Sequence, residues 1–149
     1  MDRYRIRREL VRWISKRGYT QSATLAFNDY HITQFGARRS LKALHARLDR
    51  LAFGKLWQKK PREERLDSIS FIENPATNFH YHMLWRAPRL EEKLIEALPG
   101  IWGKLVPSGN VRYRVINPVD IIFRYDTKQL ADDSFILSSE FHSFTTTPA

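Results

Sequence analysis

Two histidines one residue apart, His80 and His82, are the side chains of this chain best spaced to do chemistry together. They lie in the run Phe79-His80-Tyr81-His82-Met83-Leu84-Trp85. Its aromatic and bulky residues suit a pleated, half-buried strand. Alternation puts His80 and His82 on one face and Phe79, Tyr81, Met83 and Trp85 on the other. Imidazoles about 7 Å apart along one strand are able to share a metal ion. Upstream, residues 66–73 read as a strand and Asn74-Pro75-Ala76-Thr77-Asn78 as a turn. A hairpin built this way brings Glu73 close to His80. Glu73, His80 and His82 then offer one oxygen and two nitrogens to a divalent ion, with positions left open for substrate. The plainer reading is that two histidines on one strand face are solvated polar groups.

The elements that must position this trio follow from hydrophobic periodicity. Residues 3–17 read as a basic helix with Ile6, Leu10 and Ile14 in one stripe and Gly18 as its stop. Residues 19–28 read as a strand whose second face (Thr20, Ser22, Thr24, Ala26, Asn28) is small and polar, either wet or closely approached. Residues 38–57 form the longest helical pattern, with Leu41, Leu44, Leu48 and Leu51 in one stripe. His45 on that helix reads as surface or packing. Pro88, Glu91 and Glu92 open the next helix, which Pro99-Gly100 should break or kink. Val111-Arg112-Tyr113-Arg114-Val115 alternates as a strand, with both arginines on one face. Asn117 and Pro118 start a helix to about residue 131, apolar at Val119, Ile122, Phe123 and Leu130. Tyr125 falls at the margin of that face with Lys128 three residues on, and Asp126 falls oddly on the apolar side. Residues 132–149 are polar, with one short strand at Phe135-Ile136-Leu137. His31 and His142 read as surface residues. From the first strand onward the order is β-α-β-β-α-β-α, an α+β fold of the split βαβ kind. An antiparallel sheet with helices on one face leaves the other for a site.

The length of 149 residues fits one domain, 1–149, with a core over about 19–131, a basic helix before it and a polar tail after it. No cysteine is present, which excludes disulfides and thiolate metal sites. No apolar run reaches the roughly 18 residues of a membrane span, and the charged start lacks a secretory apolar region. A cytoplasmic protein without membrane partners is the default expectation. The formal charge of +9 is uneven: residues 1–65 carry 17 Lys/Arg against 6 Asp/Glu, residues 66–149 carry 8 against 10. A basic half favours a polyanion such as nucleic acid, or else is a solubilising surface.

Taken together, these motifs resemble the HUH endonucleases, in particular the rolling-circle replication initiators. That family carries an H-hydrophobe-H strand, matched by His80-Tyr81-His82, and an upstream acidic metal ligand, matched by Glu73. It carries a tyrosine on a later helix with a lysine three residues on, matched by Tyr125 and Lys128. Its first motif is matched loosely by Thr24-Leu25-Ala26-Phe27-Asn28. The resemblance spans roughly residues 19–131 and implies the same split βαβ fold. It implies a metal-dependent endonuclease and strand transferase acting on single-stranded DNA or a DNA hairpin, with Mg²⁺ or Mn²⁺ as cofactor. Tyr125 would be the nucleophile, forming a 5′-phosphotyrosine link, and Lys128 would steady it or the phosphate. Arg38, Arg39, Lys42, Arg112 and Arg114 would hold the strand through its phosphates. The chain has no P-loop motif, so a host helicase would be recruited. A related branch, the single-tyrosine transposases, uses a glutamine one turn after the tyrosine as a further metal contact, and Gln129 holds that position. A third reading is a non-catalytic nucleic-acid-binding module.

Overall fold

In a computed structural model, which describes residues 3–73, 78–116 and 135–142, the sheet is built around the histidine strand. In chain order the elements are α1 (Arg3–Arg17), β1 (Gln21–Ala26), α2 (Gln34–Phe53), β2 (Asp67–Glu73), β3 (His80–Arg86), α3 (Glu91–Leu105), β4 (Asn110–Val115) and β5 (Phe135–Leu137). Short 3-10 turns cover Gly54–Lys59, Arg62–Glu64 and Ser138–Phe141. The five strands lie in the order β4-β1-β3-β2-β5, and every neighbouring pair is antiparallel. β3 inserts between β1 and β2, which is the split βαβ arrangement. The expected short strand at residues 135–137 adds a fifth, on the outer edge of β2.

α2 and α3 pack on the face that carries Ala23, Leu25, Tyr81, Met83 and Trp85. Thr33 caps α2 by accepting the Gly36 amide at 3.0 Å, so the helix begins four residues before its leucine pattern suggests. Leu41, Leu44 and Leu48 are fully buried, each contributing roughly 1.5–3 kcal/mol by leaving water. α3 runs through Pro99 without interruption, contrary to expectation. Pro99 and Gly100 face solvent, while Leu94, Leu98 and Trp102 are buried against the core and hold the helix together. Trp102 also donates its indole N–H to the Ala26 carbonyl at 3.0 Å. At the same end of the sheet Phe27 meets Phe79, Tyr81 and Trp102 edge-on at 5.5, 5.9 and 5.1 Å.

The opposite face is not wholly free. Val11 and Ile14 of α1 are buried with Tyr19, Ile69, Phe71 and Leu84. The reason is visible in the strands themselves: Ile69, Phe71 and Leu84 point away from α2 and α3 and need their own cover. Arg17 at the end of α1 donates to Asp67 at 2.6 Å, and Asp67 also accepts from Arg86 at 3.2 Å.

Two histidines serve packing. His45 is buried and its Nε2 lies 2.7 Å from Ser68 Oγ, as a packing role implies. His142 corrects the expectation of a surface residue: it is 1% exposed, beneath the turn that follows β5. The predicted helix at 118–131 lies outside the described residues, and with it Tyr125, Asp126, Lys128 and Gln129; so does the turn at 74–77. Among the described residues no helix is long and apolar enough to cross a membrane.

Candidate functional site

Strand register sets out the site in rows. One row reads Asn110, Ala26, His80, Glu73 across β4, β1, β3 and β2. The next row inward reads Arg112, Thr24, His82, Phe71. The following row reads Arg114, Ser22, Leu84, Ile69, and the apolar cover of α1 takes in Phe71 of the second row as well as Leu84 and Ile69 of the third. His80 and Glu73 therefore lie at the turn end of this face, partly exposed, while His82 is buried one row further in.

Glu73 and His80 meet as the hairpin predicts, with Oε2 and Nε2 2.8 Å apart and both side chains partly buried. His80 Nδ1 lies 3.0 Å from the Asn78 carbonyl oxygen. A carbonyl only accepts, so Nδ1 carries the proton of that contact. Nε2 and the carboxylate then meet either as a hydrogen bond, with a proton on Nε2, or as two atoms able to share a cation. Two ligand atoms each about 2.1 Å from one ion stand about 3 Å apart at a right angle. The backbone carbonyl behind Nδ1 is the kind of support that orients metal-binding imidazoles. Glu73 and His80 could hold a divalent ion between them, and their 2.8 Å separation equally suits a direct hydrogen bond.

His82 lies on the same face, 4% exposed, with Nδ1 3.4 Å from Thr24 Oγ1. Among the described residues no three His, Asp or Glu side chains are gathered closely enough to hold a metal ion. The pair Glu73–His80 is assembled; His82 is its neighbour on the face and is engaged with β1.

The arginines divide between the two sides. Arg112 and Arg114 are exposed and share the histidine face. Arg39 and Lys42 are exposed on α2, behind the sheet. Arg38 is committed locally, donating to Glu140 at 3.2 Å and lying over the Phe141 ring. Sequence reasoning had grouped these five by charge; which face each serves depends on the packing of α2.

Two residues of the site had no advance signal. Thr24 stands out only once β1 is registered against β3. Asn78 serves through its backbone carbonyl, which no side-chain pattern reports. Tyr81 faces the opposite way and is buried, which pushes its phenol above the ordinary range and sets it apart from surface nucleophiles. Compared with family models, with curated proteins and with solved structures, the chain has no match.

Proposed function

We propose that this chain is a metal-dependent endonuclease and strand transferase for single-stranded DNA, of the kind that opens rolling-circle replication. The observation that carries the reading is the Glu73–His80 pair, 2.8 Å apart and partly exposed at the turn end of a sheet face, with His82 two residues along the same strand. A divalent ion held by the Glu73–His80 pair, with His82 beside it on the strand, would supply positive charge at a scissile phosphate. Tyr125 gives up its phenolic proton to solvent and attacks the phosphorus; a phosphotyrosine bond forms as the bond to the 3′-oxygen breaks, and that oxygen takes up a proton. Joining is the reverse, with a 3′-hydroxyl displacing the tyrosine. A phenol of ordinary pKa about 10 is a weak nucleophile at neutral pH, so cationic help at the phosphate is required. Lys128, three residues after Tyr125 in the sequence, supplies part of it. Arg112 and Arg114 flank the histidine face and bind backbone phosphates. The substrate implies a cytoplasmic setting and a helicase partner.

A second reading keeps the DNA and drops the chemistry. Glu73 and His80 also satisfy each other as an ion pair within the strand pair. In that case the sheet is a nucleic-acid-binding module. The experiment that separates the two is incubation of a labelled single-stranded hairpin with Mn²⁺ or Mg²⁺. A covalent protein–DNA adduct, lost on chelation and in Tyr125→Phe, supports the nuclease. An adduct that survives Tyr125→Phe sinks the nucleophile assignment. Salt-sensitive binding without adduct supports the binding module. An adduct that requires a dimer and falls in Gln129→Ala favours the transposase branch.

A further inference from the structure

Two large aromatic side chains at the histidine end of the sheet do no packing. Tyr30 is 90% exposed and Phe35 is 74% exposed. Rings left in water gain nothing from burial, unlike Phe27, Phe79 and Trp102, which are buried in the core nearby. The loop that presents Tyr30 is built firmly. Asn28, at φ 52°, donates to Asn110 Oδ1 at 2.7 Å and to the Ser108 carbonyl at 3.1 Å. Asp29 accepts the His31 amide at 2.9 Å. The loop departs directly from β1, whose last residue, Ala26, is in register with His80. Beside Tyr30 lies a shallow cavity of about 160 Å³, lined also by Asn28, Asp29 and Asn78. Asn78 is the residue whose carbonyl holds His80.

Phe35 lies in the first turn of α2, a turn with no acidic residue. Arg39 follows at i+4 and Lys42 at i+7, so ring and cations share one side of the helix. All three are exposed. An apolar protein partner would want the rings without the charges. A flexible polyanion with flat bases wants both.

Resting on the single-strand reading above, we infer that Tyr30 and Phe35 are base-stacking residues on a DNA path that leaves the Glu73–His80 pair, turns over the end of the sheet and continues along the Arg39–Lys42 side of α2. The path explains why basic residues expected to serve the site lie on both sides of the sheet. It also requires single strands, because bases paired in a duplex do not offer their faces.

The test is fluorescence anisotropy of a labelled single-stranded oligonucleotide of mixed sequence, titrated with the full chain at several salt concentrations. Tyr30→Ala and Phe35→Ala should each weaken binding about five-fold or more, the loss expected for one stacked base. The slope of log affinity against log salt should stay unchanged, because stacking releases no counterions. Tyr30→Trp should bind as well as the unaltered chain. Arg39→Ala should weaken binding and also flatten the slope. If the unaltered chain binds single strands and both alanine variants bind equally well, the stacking path is wrong while the single-strand reading survives. If the unaltered chain binds no single strand, that reading fails first and the path with it.

Discussion

At the scale of single residues, what a histidine does here is decided by what faces it. His80 sits between a carbonyl and a carboxylate at the turn end of the sheet, partly exposed, whereas His142 is enclosed. Burial, together with Arg65, His45 and Arg62, pushes His142 down to about 4, against a smaller opposing pull from Asp67. The unfolded chain titrates this histidine near 6.5. Between pH 6.5 and 4 the unfolded state therefore takes up a proton that the folded state refuses, and stability falls as pH falls. Above pH 6.5 the group is neutral in both states and contributes no slope. Urea denaturation at pH 7 and pH 4 should show the unaltered chain losing about 2–3 kcal/mol more than His142→Phe over that range. Equal losses in the two proteins would show that His142 is free to ionise in the fold. His45, fully buried on α2, is lowered by burial as well and is present in both proteins, so its own loss of stability is largely common to the two curves.

At the scale of elements, two contacts fix how the pieces meet. Asp49 of α2 accepts from Arg65 at 3.1 Å and from the Leu66 amide at 3.0 Å, both ionic side chains being 2% exposed. The pair pins the end of α2 to the chain entering β2. Asp49→Ala leaves a buried guanidinium without its carboxylate and should cost about 3–5 kcal/mol in urea unfolding. Asp49→Asn, which keeps an acceptor for the Leu66 amide, should cost less. The other contact joins α3 to β1 through Gly109. A Cβ there would run into the Ala26 carbonyl and stand 2.8 Å from Trp102 Nε1 and 2.9 Å from Val106 Cγ1. The indole bond from Trp102 to Ala26 would have to give way. Gly109→Ala should lower the unfolding free energy by about 1–3 kcal/mol. Because Ala26 is in register with His80, it should also weaken any metal binding at Glu73 and His80, read as a shift in a Mn²⁺ titration. Strand and helix identities were legible in the sequence because period-2 and period-3.6 patterns report burial directly. The Gly109 contact was not, since it depends on which loop lands on which strand end. Pro99 misled for a related reason: a proline is costly inside a helix by itself, and only the burial of Leu98 and Trp102 around it shows why the helix persists.

At the scale of the whole molecule, the hairpin and its Glu73–His80 pairing were readable because all the needed residues lie in the single stretch from Asp67 to Arg86. The position of α1 was not. Its Leu10 and Ile14 advertise an apolar stripe, but nothing local says that the stripe covers Ile69 and Leu84 on the histidine face. That cover occupies much of the histidine face, and towards the turn Arg112 stands on one side of the sheet and Arg39 on the other. Their placement makes the salt dependence of binding informative about route as well as strength. Each phosphate contact to a single strand contributes about −0.7 to the slope of log affinity against log salt. A strand restricted to the histidine face should lose slope in Arg112→Ala and keep it in Arg39→Ala. A strand that passes over the sheet end should lose about 0.7 in each variant and about twice that in the double variant, because the two residues lie on opposite sides and act independently. Shortening the oligonucleotide should then remove the Arg39 contribution before the Arg112 contribution if the strand is anchored at Glu73 and His80. The reverse order would place the anchor on α2 and make the histidine face the far end of the path.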